Sequence, residues 1–515
     1  MLFALLMMIG VSEEVRPRDP LATITDPADR AVMTEAAAAL AVQPPDLKQL
    51  DPILAKLPRP TPLRAMVQTA RAWALANAER RGEAVAAIEE AIRLAPDNPL
   101  AKLTAAHILT FTGATRRAAD LLLEVSRSDP RYAVGIDRYV LGALVGRLRE
   151  TGDRDRADRV EARMAEIGYA AALAPERSSN ALSKLRAHLT AGEREAAEGA
   201  IGTIGDPEHL AALMVDRRYE AMWPRLEEWG GPGLHEQSRR HLEELRREWD
   251  GSGGFDTATN YARRLASMRQ FNAVSALFAP MYDKPGLSAD VDGIELLAPS
   301  VARSLAALGR RAEAERLLER VAALMPPDGS GRDLNVLAAK MMLDVAEQRW
   351  AEVMPRADLF MASAKAVGPS VNDGAVRQVR AFRACALQGL GRTDEARTEL
   401  AQLLLAQAAQ PSVAWTMLGC VGDVAAGRDF LVARLADERT RDWALRIVQP
   451  GSAATGLAQD RATHAFREKV RRNPAVLAAV AKVGRVLDRA VADELPAGFD
   501  PFAAGPGARA RPGEV

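Results

Sequence analysis

Aromatic residues are scarce in this chain, with Phe, Trp and Tyr together making up 5% of its 515 residues. Runs that alternate β-branched or aromatic residues with polar ones are almost absent, which excludes strands as the main element. Cysteine is nearly lacking as well, with only Cys385 and Cys420. Two thiols cannot build a disulfide framework, and no CxxC pair offers a zinc or redox site. Each cysteine sits in an apolar helical context, as in RACALQGLG, and both are expected as buried free thiols. Charge of one sign is not in excess, since 68 Lys and Arg balance 68 Asp and Glu. A surface built for phosphate backbones needs a basic surplus, so nucleic acid is not an expected partner. The basic set is mostly Arg, which we read as codon usage rather than anion recognition. No apolar run reaches the ~20 residues of a membrane-spanning helix, so no transmembrane span is expected.

What is present is Ala, the best helix former, and a hydrophobic fraction of 48% that supports a large interior. The opening MLFALLMMIGVSEEV has an apolar stretch from Met1 to Ile9, followed by small residues at Gly10–Ser12. It reads either as the h-region and cleavage site of a secretory signal, 1–12, or as an apolar helical turn packed on the body. Residues 13–62 form a linker and N-terminal helices, broken by PRPTP at Pro58–Pro62. From Leu63 amphipathic helices follow one another with short breaks. We divide them into an array over 63–205, a degenerate repeat or hinge over 206–265 and a second array over 266–410. Capping helices follow over 411–495, and a Pro-, Gly- and Ala-rich tail over 496–515 is expected to be disordered. The middle segment holds Trp223, Trp229 and Trp249, read as fillers between poorly matched helices. The basic run Arg467, Lys469, Arg471 and Arg472 is read as a solvated capping face.

The arrays repeat a pattern. GRRAEAERLLERVAALMP, Gly309–Pro326, and GATRRAADLLLEVSRSDP, Gly113–Pro130, share one skeleton. Gly followed by Ala five residues later recurs at Gly113/Ala118, Gly152/Ala157, Gly192/Ala197, Gly309/Ala314 and Gly391/Ala396. Seven residues before three of these glycines stand Ala106, Ala302 and Ala384, and nine after them stand Leu122, Leu318 and Leu400. At twelve come Val125, Val321 and Leu403. Gly supplies the positive φ that ends a first helix. The two Ala positions let an antiparallel second helix approach closely. The apolar pair buries one face of that second helix, and Pro stops it.

This small–Gly–Ala–apolar–Pro pattern resembles the tetratricopeptide repeat (TPR) family over roughly residues 63–410, with AIEEAIRLAPDNP, Ala87–Pro99, as a further second helix and exit loop. The resemblance implies an all-α fold, an α–α superhelix or solenoid of antiparallel helix pairs. The glycines at 113, 152 and 192 stand 39 and 40 apart, and Gly309 to Gly391 spans 82, which gives a period of about 39–41 residues instead of the usual 34.

No motif carries chemistry. The six histidines are scattered, and in HEQSRRH two stand six apart, off the spacing of a helical zinc pair. P-loop, dinucleotide and nucleophile-elbow signatures are missing, so no catalytic residue, metal or cofactor is expected. The TPR resemblance implies a non-enzymatic scaffold or adaptor that binds peptides or partner proteins on first-helix residues. Counted six and three residues before each Gly, those are His107, Thr110, Arg149, Arg186, Arg303, Cys385 and Gln388. With Arg186 and Arg303 among them, the expected ligand is an acidic or carboxylate-ended peptide. The alternatives are an enzyme with a non-sequential active site in 206–265, or a regulatory or sensor module. If 1–12 is a signal, the expected location is the periplasm or cell envelope; otherwise it is the cytoplasm.

Overall fold

An amphipathic helix of a dozen residues cannot bury its apolar stripe alone, so each must lie against a neighbour. In the computed structural model this is met by helices packed in sequence order. The structure describes residues 24–503, apart from 43–44, 79, 170–172, 289–290, 292, 326–330, 369–370, 406–409, 452, 489 and 492. The candidate signal 1–12 and Pro326 lie outside the described residues. The chain is all-α, with a single isolated bridge, Asp216–Gly484, as the one strand-like feature among the described residues.

The chain forms two compact units that divide after residue 171, not within 206–265. The first contains α1 (Pro27–Leu40), α2 (Leu47–Ala55), α3 (Pro62–Asn77), α4 (Arg81–Leu94), α5 (Pro99–Thr110), α6 (Thr115–Ser128), the single turn α7 (Pro130–Ala133), α8 (Arg138–Glu150) and α9 (Arg154–Glu166). The second opens with α10 (Ala174–Ala191), α11 (Arg194–Ile201), α12 (Pro207–Val215), α13 (Trp223–Gly230), α14 (His235–Ser252), α15 (Phe255–Ser267) and α16 (Phe271–Phe278). It continues with the hairpins α17 (Ile294–Ala307) and α18 (Arg311–Leu324), α19 (Arg332–Ala346) and α20 (Trp350–Val367), and α21 (Asp373–Gly389) and α22 (Thr393–Leu405). It ends with α23 (Pro411–Val421), α24 (Val424–Ala436), α25 (Arg441–Val448), α26 (Ala458–Arg471) and α27 (Pro474–Val483).

The slots read from sequence are packing slots. Ala106, Ala118, Ala302, Ala314, Ala384 and Ala396 are all buried, as are Leu122, Leu318, Val125, Val321 and Leu403. Gly113, Gly152, Gly192, Gly309 and Gly391 all hold positive φ. Two further turns carry no glycine, because Arg269 (φ 60°) and Gln348 (φ 61°) take the same left-handed conformation. The following residue then donates its N–H to the carbonyl five residues back. Gln270 bonds Leu265 and Arg349 bonds Asp344, as Arg310 bonds Leu305 and Arg392 bonds Leu387, all at 2.8–2.9 Å. With these turns the period becomes continuous, running 269, 309, 348 and 391. A second recurring device is an Arg that opens the second helix and pairs with a Glu three residues on. It occurs as Arg80–Glu83, Arg310–Glu313, Arg349–Glu352 and Arg392–Glu395, at 2.6–2.8 Å.

Three expectations are corrected. Cys385 and Cys420 are not free thiols but a disulfide. They lie on α21 and α23, neighbouring first helices that bring residues 35 apart in sequence to a Cα separation of 5.3 Å. The first part of the tail, 496–503, packs on the second unit with Pro496, Phe499 and Pro501 buried, and 504–515 lie outside the described residues. Arg467 is not part of a solvated face, since its guanidinium donates to the carbonyls of Ile447 and Gln449, each at 2.8 Å.

A Cβ added at Gly309 would meet open space, so its demand for glycine is purely conformational. Gly309→Ala is expected to lower stability by about 1–2 kcal/mol, the penalty of an L-residue in the left-handed region. Urea unfolding followed by circular dichroism measures it.

Candidate functional site

The first-helix positions lead to different surroundings in the two units. In the first unit they carry a row of rings. Trp73 on α3 meets the imidazole of His107 on α5 edge-on, with centroids 4.7 Å apart. His107 lies 6.3 Å from Phe111, the C-cap of α5, and Phe111 stacks on Tyr139 of α8 at 5.8 Å. The guanidinium carbon of Arg147 stands 5.4 Å from the centre of the Phe111 ring. The row therefore crosses three successive first helices. Its inner end is sheltered and its outer end open, with Tyr139 67% exposed. Burial lowers the pKa of His107 to about 4, against an opposing pull from Asp137, so the ring is neutral at pH 7.

The other expected residues of this unit do not join the row. Thr110 is fully buried, and its hydroxyl donates to the Ala106 carbonyl of its own helix at 2.7 Å. Its side chain is turned into the helix packing and away from the surface. Arg149 reaches across its own hairpin to Glu161 at 2.5 Å and Asp158 at 3.5 Å on α9.

In the second unit the corresponding residues hold the chain's own C-terminal helices. Arg186 on α10 lies 2.7 Å from Asp442 on α25 and donates to the Tyr219 hydroxyl at 3.3 Å. Asp442 is also bound by Arg218, whose guanidinium grips the buried Asp216 as well. Arg303 on α17 contacts both carboxylate oxygens of Asp460 on α26, at 2.6 and 2.7 Å. Gln459 beside it is reached by Gln348 at 3.1 Å and donates to the Cys420 sulfur at 3.5 Å. Arg269 donates to the Ala454 carbonyl at 3.1 Å. Cys385 is held in its disulfide, and Gln388 is half-buried beside it on α21.

The two non-glycine turns are thus among the residues that tie down the segment 454–460. Their side chains supply what glycine could not, which accounts for the tolerated backbone cost. Arg269 and Gln348 stand at positive φ without the glycine that marks the other turns in the sequence. The Arg–x–x–Glu pair at Arg349 and Glu352 marks the second of these turns in sequence.

At the edge of 206–265, His209 Nδ1 lies 2.9 Å from Ser178 Oγ on α10, an arrangement that resembles a nucleophile–base pair. Ser178 is 1% exposed and also accepts the Asp206 N–H at 2.9 Å. That geometry pins the α11–α12 loop to α10 rather than presenting a hydroxyl to a substrate. The tryptophans of this region act as packing. Trp249 is core, and Trp223 donates Nε1–H to the Leu213 carbonyl at 3.1 Å.

Folded His107 stays neutral down to about pH 4, while the unfolded chain protonates it near 6.5. Between those values the unfolded state binds more protons, so the contribution present above about pH 6.5 is lost as pH falls towards about 4. His107→Phe is expected to flatten this part of the stability profile of the first unit, read from urea midpoints at pH 7 and pH 4.5. No protein-family model matches the chain, and no curated protein matches it.

Proposed function

We propose that the protein is a non-enzymatic, TPR-like scaffold that binds a partner protein or peptide on the first-helix face of residues 62–150. The observation that carries this reading is the ring row from Trp73 to Tyr139, which ends in a largely exposed Tyr. Soluble surfaces gain little from such a row unless something lies on it, and Tyr, Trp and Arg are the residues that anchor interfaces. Ring faces with Arg147 alongside suit an extended segment bearing proline or aromatic side chains. A displayed peptide library selected on the purified protein tests this. Tyr139→Ala and Phe111→Ala are each expected to weaken the selected peptide tenfold or more, about 1.4 kcal/mol. Unchanged affinity in both would overturn the reading.

The proposed setting is an oxidising compartment, the periplasm or cell envelope. The Cys385–Cys420 disulfide supports it, since reducing compartments keep such thiols open. A bond that closes a 35-residue separation stabilises by roughly 4 kcal/mol in the chain-entropy account. Protein taken from native cells under acid quench is expected to show no alkylatable thiol until reduced. Two alkylated cysteines before reduction would place it in the cytoplasm.

A further inference from the structure

After α27 the chain crosses the second unit as a largely non-helical strap, from Gly484 to residue 503. Gly484 lies directly on α12, where a Cβ would come within 2.2 Å of the Val215 carbonyl oxygen. Arg485 donates its N–H to that carbonyl at 2.9 Å. Its guanidinium lies 4.0 Å from the Trp223 ring centre and reaches Glu227 at 2.7 Å.

The far end is held differently. Phe499 is 8% exposed and packs with the core that contains Trp249, Tyr261 and Phe278. Arg246 of α14 covers its ring at 5.3 Å and donates to the Asp500 carbonyl at 3.1 Å. The Tyr261 hydroxyl of α15 donates to the Pro501 carbonyl at 3.2 Å. Pro496 and Pro501, both buried, flank this anchor.

One buried ring, two accepting main-chain carbonyls and two prolines are the features by which grooves hold extended peptides. Main-chain bonds supply affinity, and a side-chain pocket supplies selectivity. Beneath Phe499, Trp249, Tyr261 and Phe278 pack on one another with centroids 4.9–6.1 Å apart.

We propose that the groove on α14 and α15 is a peptide-binding site, with residues 493–503 as its tethered occupant. Its ligand in trans is an extended segment of a partner protein with the same chemistry, a phenylalanine set between prolines. This surface is separate from the ring row of the first unit, and either can fail without the other.

The test uses the full chain and a fluorescent peptide with the sequence of residues 493–503. Phe499→Ala loosens the strap and leaves the groove intact. The variant is expected to keep its helical signal and to bind the peptide at least tenfold more tightly than the unaltered chain. Adding Arg246→Ala to it is expected to abolish that binding. No peptide uptake by a folded Phe499→Ala protein would overturn the proposal. So would loss of the fold, which would make the strap part of the core. Concentration-dependent dimers without peptide uptake would also overturn it, assigning the groove to a second copy of the chain.

Discussion

At 152, 192, 269, 309, 348 and 391 the turn between a first and a second helix depends on one residue held at positive φ, whose successor donates to the carbonyl five residues back. That bond satisfies the last carbonyls of the first helix and sets the direction in which the second departs. The buried alanines on either side then let the two helices close, and the apolar pair of the second helix is left to the next hairpin. A displaced turn would move all of these slots together. This is why the same local geometry persists even where the residue is Arg269 or Gln348 rather than glycine.

A series of such hairpins always ends with an unsatisfied face, which something must cover. In the second unit the chain supplies the cover itself. α25 and α26 bring Asp442 and Asp460 to Arg186 and Arg303. The strap then runs over α12 to α15 and buries Phe499. The arginines expected to read an acidic partner do read carboxylates, but from the same polypeptide. The two units differ: the first carries an aromatic row, and in the second a strap packs on α14 and α15.

Much of the packing could be read directly. The Gly/Ala/Leu/Val spacing identified slots that are buried in the described copies except Leu400, which is half-buried, because a turn and the small residues around it are local features of sequence. That spacing does not mark 269 and 348, since left-handed conformation is a backbone state that a polar residue adopts when its side chain finds a partner. Those partners, Ala454 and Gln459, lie more than a hundred residues away. Thr110 shows the opposite failure. Its place in the sequence pattern put it on the binding face, yet its rotation about the helix axis buries it and its hydroxyl bonds within the helix. For the cysteines, an apolar context foretold burial but not pairing, since pairing needed two first helices to lie side by side.

By itself the sequence determined an all-α chain of antiparallel helix pairs with a period near 40, because helix propensity, turn geometry and the spacing of small residues all act within a few dozen positions. Only the tertiary structure decided which polar residues face a partner and which are taken up internally. Arg186 meets Asp442, Arg303 meets Asp460 and Phe499 finds its pocket on α14 and α15 across separations of well over a hundred residues. No local pattern encodes such meetings, since they follow from where the folded chain returns on itself.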